Sequence, residues 1–167
     1  MLRVLDIILN KSFYKLGFQN GKGQTYEGLL TTSSIQSAQK YYDLLKRVKN
    51  GETELQIDEK IKQVLPDFPK FAITYSVTEN EESSHVNQQK MQSSLDDYNG
   101  MFGTKYELSQ IQGYNANLNK RLARKEPKFK SRNEQLDIVI VVDRLLTGFD
   151  APCMSTIFID RLREMWR

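Results

Sequence analysis

The chain has 167 residues, of which 39% are hydrophobic and 27% are charged, which is typical of one soluble globular domain and too apolar for a disordered protein. A net charge of +3 does not by itself indicate a nucleic-acid partner, and a single cysteine excludes an internal disulfide and a Cys-based zinc site. The apolar N-terminus is interrupted by Arg3 and Asp6, so we predict no signal peptide, no membrane span and a cytoplasmic location.

The first half of the chain predicts a lead-in followed by a strand and a helix. Residues 1–24 are predicted to form a helical lead-in and a glycine loop. Residues 26–32 predict a short buried strand. Ser33 is the expected helix cap, with Gln36 reaching back to it. The helix is expected to end at Asn50-Gly51. It is predicted from apolar residues at helical spacing, which are Ile35, Ala38, Tyr42, Leu45 and Val48.

The second half repeats the alternation of strand and helix. Strands are predicted at residues 71–76, 136–142 and 156–159, and the unbroken apolar run at 136–142 is typical of a central parallel strand covered on both faces. Two helices are predicted between the first two of these strands. Their apolar faces carry Met91, Leu95, Tyr98 and Phe102 in one and Leu108, Ile111, Leu118 and Leu122 in the other. The alternation predicts an α/β fold with a mainly parallel sheet.

Two loops follow strands and are candidate ligand sites, because ligands of parallel sheets gather at the carboxyl ends of strands. Residues 31–34 (Thr-Thr-Ser-Ser) lead into a helix N-terminus that favours anions, although simple helix capping explains them equally well. Residues 143–152 contain Gly148, which allows close backbone approach, and Asp150, which can accept hydrogen bonds from a sugar hydroxyl. A structural turn remains the alternative for this second loop.

A basic segment between residues 120 and 132 is a candidate phosphate-binding surface. Glu126 is its one acidic residue, and a solvated helix end is the alternative interpretation. Its cations are Lys120, Arg121, Arg124, Lys125, Lys128, Lys130 and Arg132.

Other chemical candidates are weaker. His85 is predicted to be a surface residue at a helix start, and Cys153 a small buried hydrophobe. Tyr42 and Tyr98 lie on apolar helical faces, so core packing is preferred to base stacking. Residues 17–23 lack the spacing of a phosphate loop. We find no metal-ligand spacing and no catalytic triad.

The run Leu-Leu-Thr-Gly-Phe-Asp-Ala-Pro at residues 145–152 resembles motif V of superfamily 2 helicases, in the form found in the motor subunits of type I restriction enzymes. Residues 29–35 are similar to motif IV of that subunit, and residues 95–104 with Tyr114 and residues 120–122 also resemble it. The three stretches occur in collinear order over roughly residues 26–161.

The resemblance implies a three-layer RecA-like lobe at residues 25–161, the second of the helicase core, followed by a tail at 162–167 that departs from the family. It implies that Gly148 and Asp150 lie near the ribose of a bound nucleotide. It also implies that Asp143, Thr32 and Ser33 touch the DNA backbone. To these the basic segment adds Lys120, Arg121, Arg124 and Lys125 as candidate DNA-binding residues.

The expected function is that of a fragment of an ATP-dependent type I site-specific deoxyribonuclease, which couples ATP hydrolysis to DNA translocation. ATP and Mg²⁺ would serve the parent enzyme, and none is expected on this chain, which we predict to be inactive alone. Expected partners are double-stranded DNA, helicase lobe 1, the nuclease domain, and the modification and specificity subunits. Two alternatives stay open: lobe 2 of another superfamily 2 DNA helicase, or an independent small DNA-binding or interaction module.

Overall fold

A four-stranded parallel sheet organises the protein, whose computed structural model describes residues 1–12, 26–76, 84–142 and 151–160. The strands are β1 (Glu27–Thr32), β2 (Phe71–Thr74), β3 (Ile138–Val142) and β4 (Met154–Asp160). Their order across the sheet is β2-β3-β1-β4, and every neighbouring pair is parallel. The α/β fold with a parallel sheet, expected from the alternation of strands and helices, is confirmed.

The strand β3 lies at the centre of the sheet and is covered on both faces. Successive side chains of a strand point to opposite faces, and all four residues from Ile138 to Val141 have no exposed surface. Helices therefore cover the sheet from two sides, which is the three-layer arrangement. At the edge, β4 alternates between partly buried and exposed residues, and Ile157 and Ile159 are among the exposed ones.

The helix α2 (Ile35–Lys49) packs against β1, β2 and β3. Its buried residues include Ala38, Leu45 and Val48, at the predicted helical spacing. The cap lies one residue later than predicted, because the Ser34 hydroxyl, and not that of Ser33, accepts from the backbone. The end is as predicted: Gly51 follows the helix with φ +73°, a conformation that glycine adopts without steric cost.

The other helices within the described residues are α1 (Leu2–Asp6), continued by a π-helical turn (Ile7–Lys11), α3 (Glu59–Val64), α4 (Ser84–Phe102) and α5 (Ile111–Ala123). Short 3₁₀ turns lie at Leu108–Gln110, Pro127–Lys130 and Arg132–Glu134. Both predicted helices of the second half are confirmed. The lead-in belongs to the same core, since Leu5, Ile8 and Leu9 are fully buried in it.

Several sequence expectations differ in detail from the structure. The strand predicted at 71–76 ends at residue 74, the strand predicted at 136–142 begins at 138, and the strand predicted at 156–159 extends over 154–160.

Tyr42 and Tyr98 are buried and His85 is exposed, as predicted. Cys153 is only partly buried, so its prediction as a small buried hydrophobe is wrong. No described helix is long and apolar enough to cross a membrane.

Candidate functional site

The carboxyl ends of the four strands meet at one side of the sheet, which we call the C-terminal edge. Thr32, the last residue of β1, is level with Val142 of β3 and with Asp160 of β4. Thr74, the last residue of β2, is level with Val141 of β3. The chain therefore leaves β1 and β3 at adjacent positions of the edge where ligands of parallel sheets bind.

The turn after β1 is shaped by its own side chains. The hydroxyl of Thr32, a residue with no exposed surface, donates to the carbonyl oxygen of Ser34 at 3.0 Å. The Ser34 hydroxyl accepts from the backbone N–H of Ser37 at 3.1 Å and caps α2. Ser33 is the exposed residue of the turn. A DNA contact at this turn would therefore come from Ser33 or from the backbone, because the Thr32 side chain is directed into the protein.

The end of β4 is tied to α2 by a tyrosine. The Tyr41 hydroxyl donates to the carboxylate of Asp160, and Tyr41 has no exposed surface. Burial, and then the neighbouring Asp160 carboxylate, raise the pKa of Tyr41 well above its ordinary value. The phenol therefore stays protonated and can keep donating. Sequence reasoning missed this pair, because neither residue stands in a motif and they are far apart in the chain.

The end of β2 is held by α5. The Thr74 hydroxyl donates to the Asn115 side-chain oxygen at 2.7 Å, and the Tyr114 hydroxyl donates to the carbonyl oxygen of Ile73 at 2.7 Å. The first half of α5 thus lies beside the C-terminal edge. Tyr114 was noted only as part of the family resemblance, and the role of Asn115 was not predicted.

A second group of neutral polar side chains connects α2 to α4 near the same edge. The amide of Gln39 donates to the Tyr75 hydroxyl at 2.9 Å and to the Asn87 side-chain oxygen at 3.1 Å. The Tyr75 hydroxyl in turn donates to the Asn87 carbonyl at 2.8 Å. Amide and phenol groups of this kind position the backbone and do not supply an acid or base at neutral pH.

The described residues form no metal centre, and the cavity that opens beside α2 is smaller than a typical small-molecule site. Within residues 1–12, 26–76, 84–142 and 151–160, no cluster of three or more His, Cys, Asp or Glu side chains is placed to hold a metal ion. A cavity of about 150 Å³ opens beside α2, between Tyr42, Phe71 and Met101. Sites for small molecules typically measure ~300 Å³ or more.

The arginines of the basic segment are directed into the fold. Arg121 has no exposed surface, and its guanidinium lies 2.5 Å from the Glu134 carboxylate and 3.5 Å from the centre of the Phe102 ring. Arg132 contacts the carboxylates of Asp137 at 2.5 Å and Asp67 at 3.0 Å. Both therefore act as internal ties between elements of the fold. Arg121 is not available to a phosphate in this structure, contrary to the expectation from the sequence.

Arg124 is also turned inward, toward the first residue of β1. Its Nε lies 2.9 Å from the Glu27 carboxylate, and its terminal nitrogen donates to the Leu136 carbonyl at 3.1 Å. Its backbone has φ 50°, a left-handed conformation uncommon in residues other than glycine, where it ends α5. Burial raises the pKa of Glu27 to about 8, opposed by the adjacent Arg124. Arg124 is therefore a structural residue in this domain.

The lysines of the same segment face outward. Lys120, Lys125, Lys128 and Lys130 are all exposed. Lys120 lies 3.5 Å from the Glu126 carboxylate, a largely exposed contact that contributes little. Of the four cations of this segment named as DNA-binding, Lys120 and Lys125 are at the surface and the two arginines are not.

The lysines and Ser33 lie at opposite ends of the sheet. α5 starts beside the C-terminal edge, at Thr74, and ends beside Glu27, the first residue of β1. The six residues of β1 span ~17 Å at the usual rise of a strand. The sequence-predicted DNA-binding residues therefore divide into two separate surfaces.

The most specific sequence motif lies outside the described residues. Gly148 and Asp150, predicted to bind nucleotide, and Asp143, predicted to contact DNA, fall within residues 143–150. The structure describes the strand that leads to this loop and resumes at Ala151, whose carbonyl accepts from the backbone N–H of Met154 at 3.0 Å.

Comparison with known proteins identifies the family. The model of type I restriction enzyme subunit R domain 3 matches residues 24–165. The chain is similar to the SauCOLORF180P and SauMSSORF170P endonuclease subunits of type I restriction enzymes of Staphylococcus aureus. It is 26% identical to each over 143 residues, covering 84% of this chain and 14% of each relative. It is also 53% identical to the HindI endonuclease subunit of Haemophilus influenzae over 36 residues, 22% of this chain and 3% of that protein.

The match covers both β1 with its turn and β3 with the loop that follows, the two regions that carried the resemblance in the sequence. It favours the restriction family over other superfamily 2 helicases. The chain spans about one seventh of the length of the Staphylococcus relatives. It belongs to the family of type I restriction enzyme R subunits and corresponds to their domain 3.

Proposed function

We propose that this domain is the second RecA-like lobe of an ATP-dependent DNA-translocating motor, within the R subunit of a type I restriction endonuclease. The single observation that carries the proposal is the pairing of Thr32 with Val142. It puts the turn after β1 and the start of the loop after β3 at adjacent positions of one sheet edge. A motor lobe requires that arrangement, because the same edge of the sheet must contact both the nucleotide and the DNA.

The nucleotide would be held at the loop after β3. Gly148 would let the backbone approach the nucleotide closely, and Asp150 would accept hydrogen bonds from the ribose. In the parent subunit, transfer of the γ-phosphoryl group of Mg²⁺-bound ATP to water, which releases ADP and phosphate, would supply the free energy for translocation. Ser33 and Asp143 would contact the DNA backbone, which orients a protein on DNA without reading its sequence.

The side chains around this edge would keep the two loops in place. Thr32 shapes the first loop from inside, and Tyr41 fixes the end of β4 next to it. The Thr74–Asn115 bond holds β2 against α5 at the same end of the sheet. The bonds of Thr32 and Thr74 join neutral groups, and such bonds suit a lobe that must move relative to a partner lobe, because they can be remade at small cost. Expected partners are double-stranded DNA, helicase lobe 1, the nuclease domain, and the modification and specificity subunits.

The test is Asp150→Asn in the intact R subunit, with Asp96→Asn, an exposed carboxylate of α4, as the control. A hydrogen bond to a charged group is worth roughly 1.5–3 kcal/mol, so DNA-stimulated ATP turnover should fall about tenfold to a hundredfold. The melting temperature should stay unchanged, as should the turnover of the control variant. Normal turnover with a collapsed melting temperature would mean that Asp150 is a structural cap and that the loop has no nucleotide role.

The isolated 167-residue chain is expected to hydrolyse no ATP above background, with or without DNA. Hydrolysis needs a phosphate cradle, a metal and arginine fingers around the nucleotide, and the sequence predicts only the loop after β3 here. Turnover that is stimulated by DNA and lost on Asp150→Ala would contradict the assignment of this chain to a single lobe of the motor.

A further inference from the structure

The arginines and the lysines of the basic segment differ in their environment. Each of its three arginines reaches a carboxylate inside the fold or at its margin, whereas its four lysines are exposed. The arginine pairs are Arg121 with Glu134, Arg124 with Glu27, and Arg132 with Asp137 and Asp67. The exposed positive charge of the segment is therefore carried mainly by its lysines.

We propose that these lysines, Lys120, Lys125, Lys128 and Lys130, form a DNA-backbone contact surface separate from the C-terminal edge. We call it the lysine patch. It lies where α5 ends and the chain returns to the start of β3, at the amino ends of the strands. A duplex held at the turn after β1 would meet it through a different stretch of backbone, ~17 Å away along the sheet. The proposal does not depend on the motor function.

The backbone of the lysine patch is held in place by the core. Phe129, between Lys128 and Lys130, is buried, and its N–H donates to the Glu126 carbonyl at 3.0 Å. The Gln135 amide donates to the Lys130 carbonyl at 3.0 Å. Two 3₁₀ turns and the left-handed Arg124 complete the path of the chain. The lysine side chains thus project from a fixed base, which lowers the ordering cost of binding a phosphate.

A nucleic-acid backbone fits this surface better than a protein does. Lysine is depleted at protein–protein interfaces, where arginine and aromatic side chains are enriched. Here Arg121, Arg124 and Phe129 are buried, and Arg132 is partly buried. A lysine ammonium is a compact, flexible point charge that binds a phosphate without needing a fixed planar geometry. Four such charges opposed by the half-exposed Glu126 are typical of sequence-independent DNA contact.

The first experiment compares two double variants of the 167-residue chain. Lys128→Gln/Lys130→Gln removes two charges of the lysine patch, and Lys60→Gln/Lys62→Gln removes two exposed charges of α3 at the same spacing. Affinity for a labelled duplex is measured from low to moderate salt. Each lost phosphate contact lowers the slope of log K against log salt by about 0.9. The first variant should therefore lose nearly two units of slope and about tenfold in affinity at low salt.

The control variant should keep the slope and affinity of the wild type, and both variants should melt at the wild-type temperature. Equal losses in both variants would mean that binding responds to net charge and not to the lysine patch, which overturns the proposal. Unchanged binding by Lys128→Gln/Lys130→Gln also overturns it, and would leave the surface to an acidic protein partner.

A second experiment needs no variant. Lysine acetylation by an amine-reactive reagent is measured by mass spectrometry with and without duplex DNA. We expect DNA to protect Lys120, Lys128 and Lys130 at least threefold and to leave Lys60 and Lys62 reactive. Equal reactivity with and without DNA contradicts the proposal. The outcome is independent of Asp150, so failure of the lysine patch and failure of the motor assignment are separate results.

Discussion

The buried pair of Glu27 and Arg124 makes the stability of this domain depend on pH in an unusual direction. Glu27 has no exposed surface, and burial raises its pKa from 4.5 to about 8 despite the Arg124 guanidinium 2.9 Å away. A carboxyl whose pKa is higher in the folded state favours folding when protonated. Its contribution is complete below pH 4.5 and is lost as the pH rises through about 8.

The magnitude follows from proton linkage. Between about pH 5 and pH 7 the unfolded chain has mostly released this proton and the folded chain has mostly kept it. Each pH unit in that interval therefore costs ~1 kcal/mol, and the free energy of unfolding should fall by about 2 kcal/mol overall. Such a change is a large fraction of the ~5–15 kcal/mol that stabilises a typical domain.

The assay is urea denaturation of the wild type, Glu27→Gln and Glu54→Gln at several pH values from about 5 to 7. Glutamine keeps the shape of the protonated carboxyl and cannot titrate, so the free energy of unfolding of Glu27→Gln should not fall over this pH interval. Glu54 is exposed, and the free energy of unfolding of Glu54→Gln should fall as that of the wild type does. If wild-type stability instead rises over this interval, or Glu27→Gln declines as steeply as the wild type, Arg124 keeps Glu27 ionised and burial does not control this site.

Two further substitutions test the contacts that hold the fold together. Arg121→Ala should lower the free energy of unfolding by about 3–5 kcal/mol, because it removes a buried ion-pair partner. The exposed control Lys120→Ala should change it by less than about 0.5 kcal/mol. Equal effects of the two variants in chemical denaturation would contradict a structural role for the arginines and a surface role for the lysines. Tyr41→Phe should cost about 1–2 kcal/mol through the lost bond to Asp160, whereas Tyr26→Phe, at an exposed position, should cost nothing measurable. A neutral Tyr41→Phe would mean that the end of β4 is held by packing alone.

The parallel sheet was predictable because the sequence of its central strand is an unbroken apolar run. Burial on both faces leaves no room for polar alternation, so the run at β3 indicated a position between two strands. The helix α3 was missed because its six residues are too few to show a helical period. The cap of α2 was misplaced by one residue because Ser33 and Ser34 offer the same hydroxyl. Backbone geometry alone selects the second.

The buried side of the basic segment was not predictable from local sequence. Arg124 pairs with Glu27, almost a hundred positions earlier in the chain, and Arg132 pairs with Asp67. From the sequence alone, a run of cations indicates an exposed surface, because the carboxylates that pair with them are distant in the chain and are brought close only by the fold. The type of cation was the available signal, since arginine is the residue better suited to buried ion pairs.

The two ends of the sheet use different chemistry, and the difference fits a domain that works at one end. At the amino ends of the strands, largely buried charges face each other in pairs such as Arg121–Glu134 and Arg132–Asp137. Separating a buried pair leaves an uncompensated charge, so this end resists deformation. Most of the bonds described at the C-terminal edge join neutral groups, such as Thr74 to Asn115. Because neutral hydrogen bonds exchange with water at small net cost, that edge can adjust while the opposite end holds the strands in register.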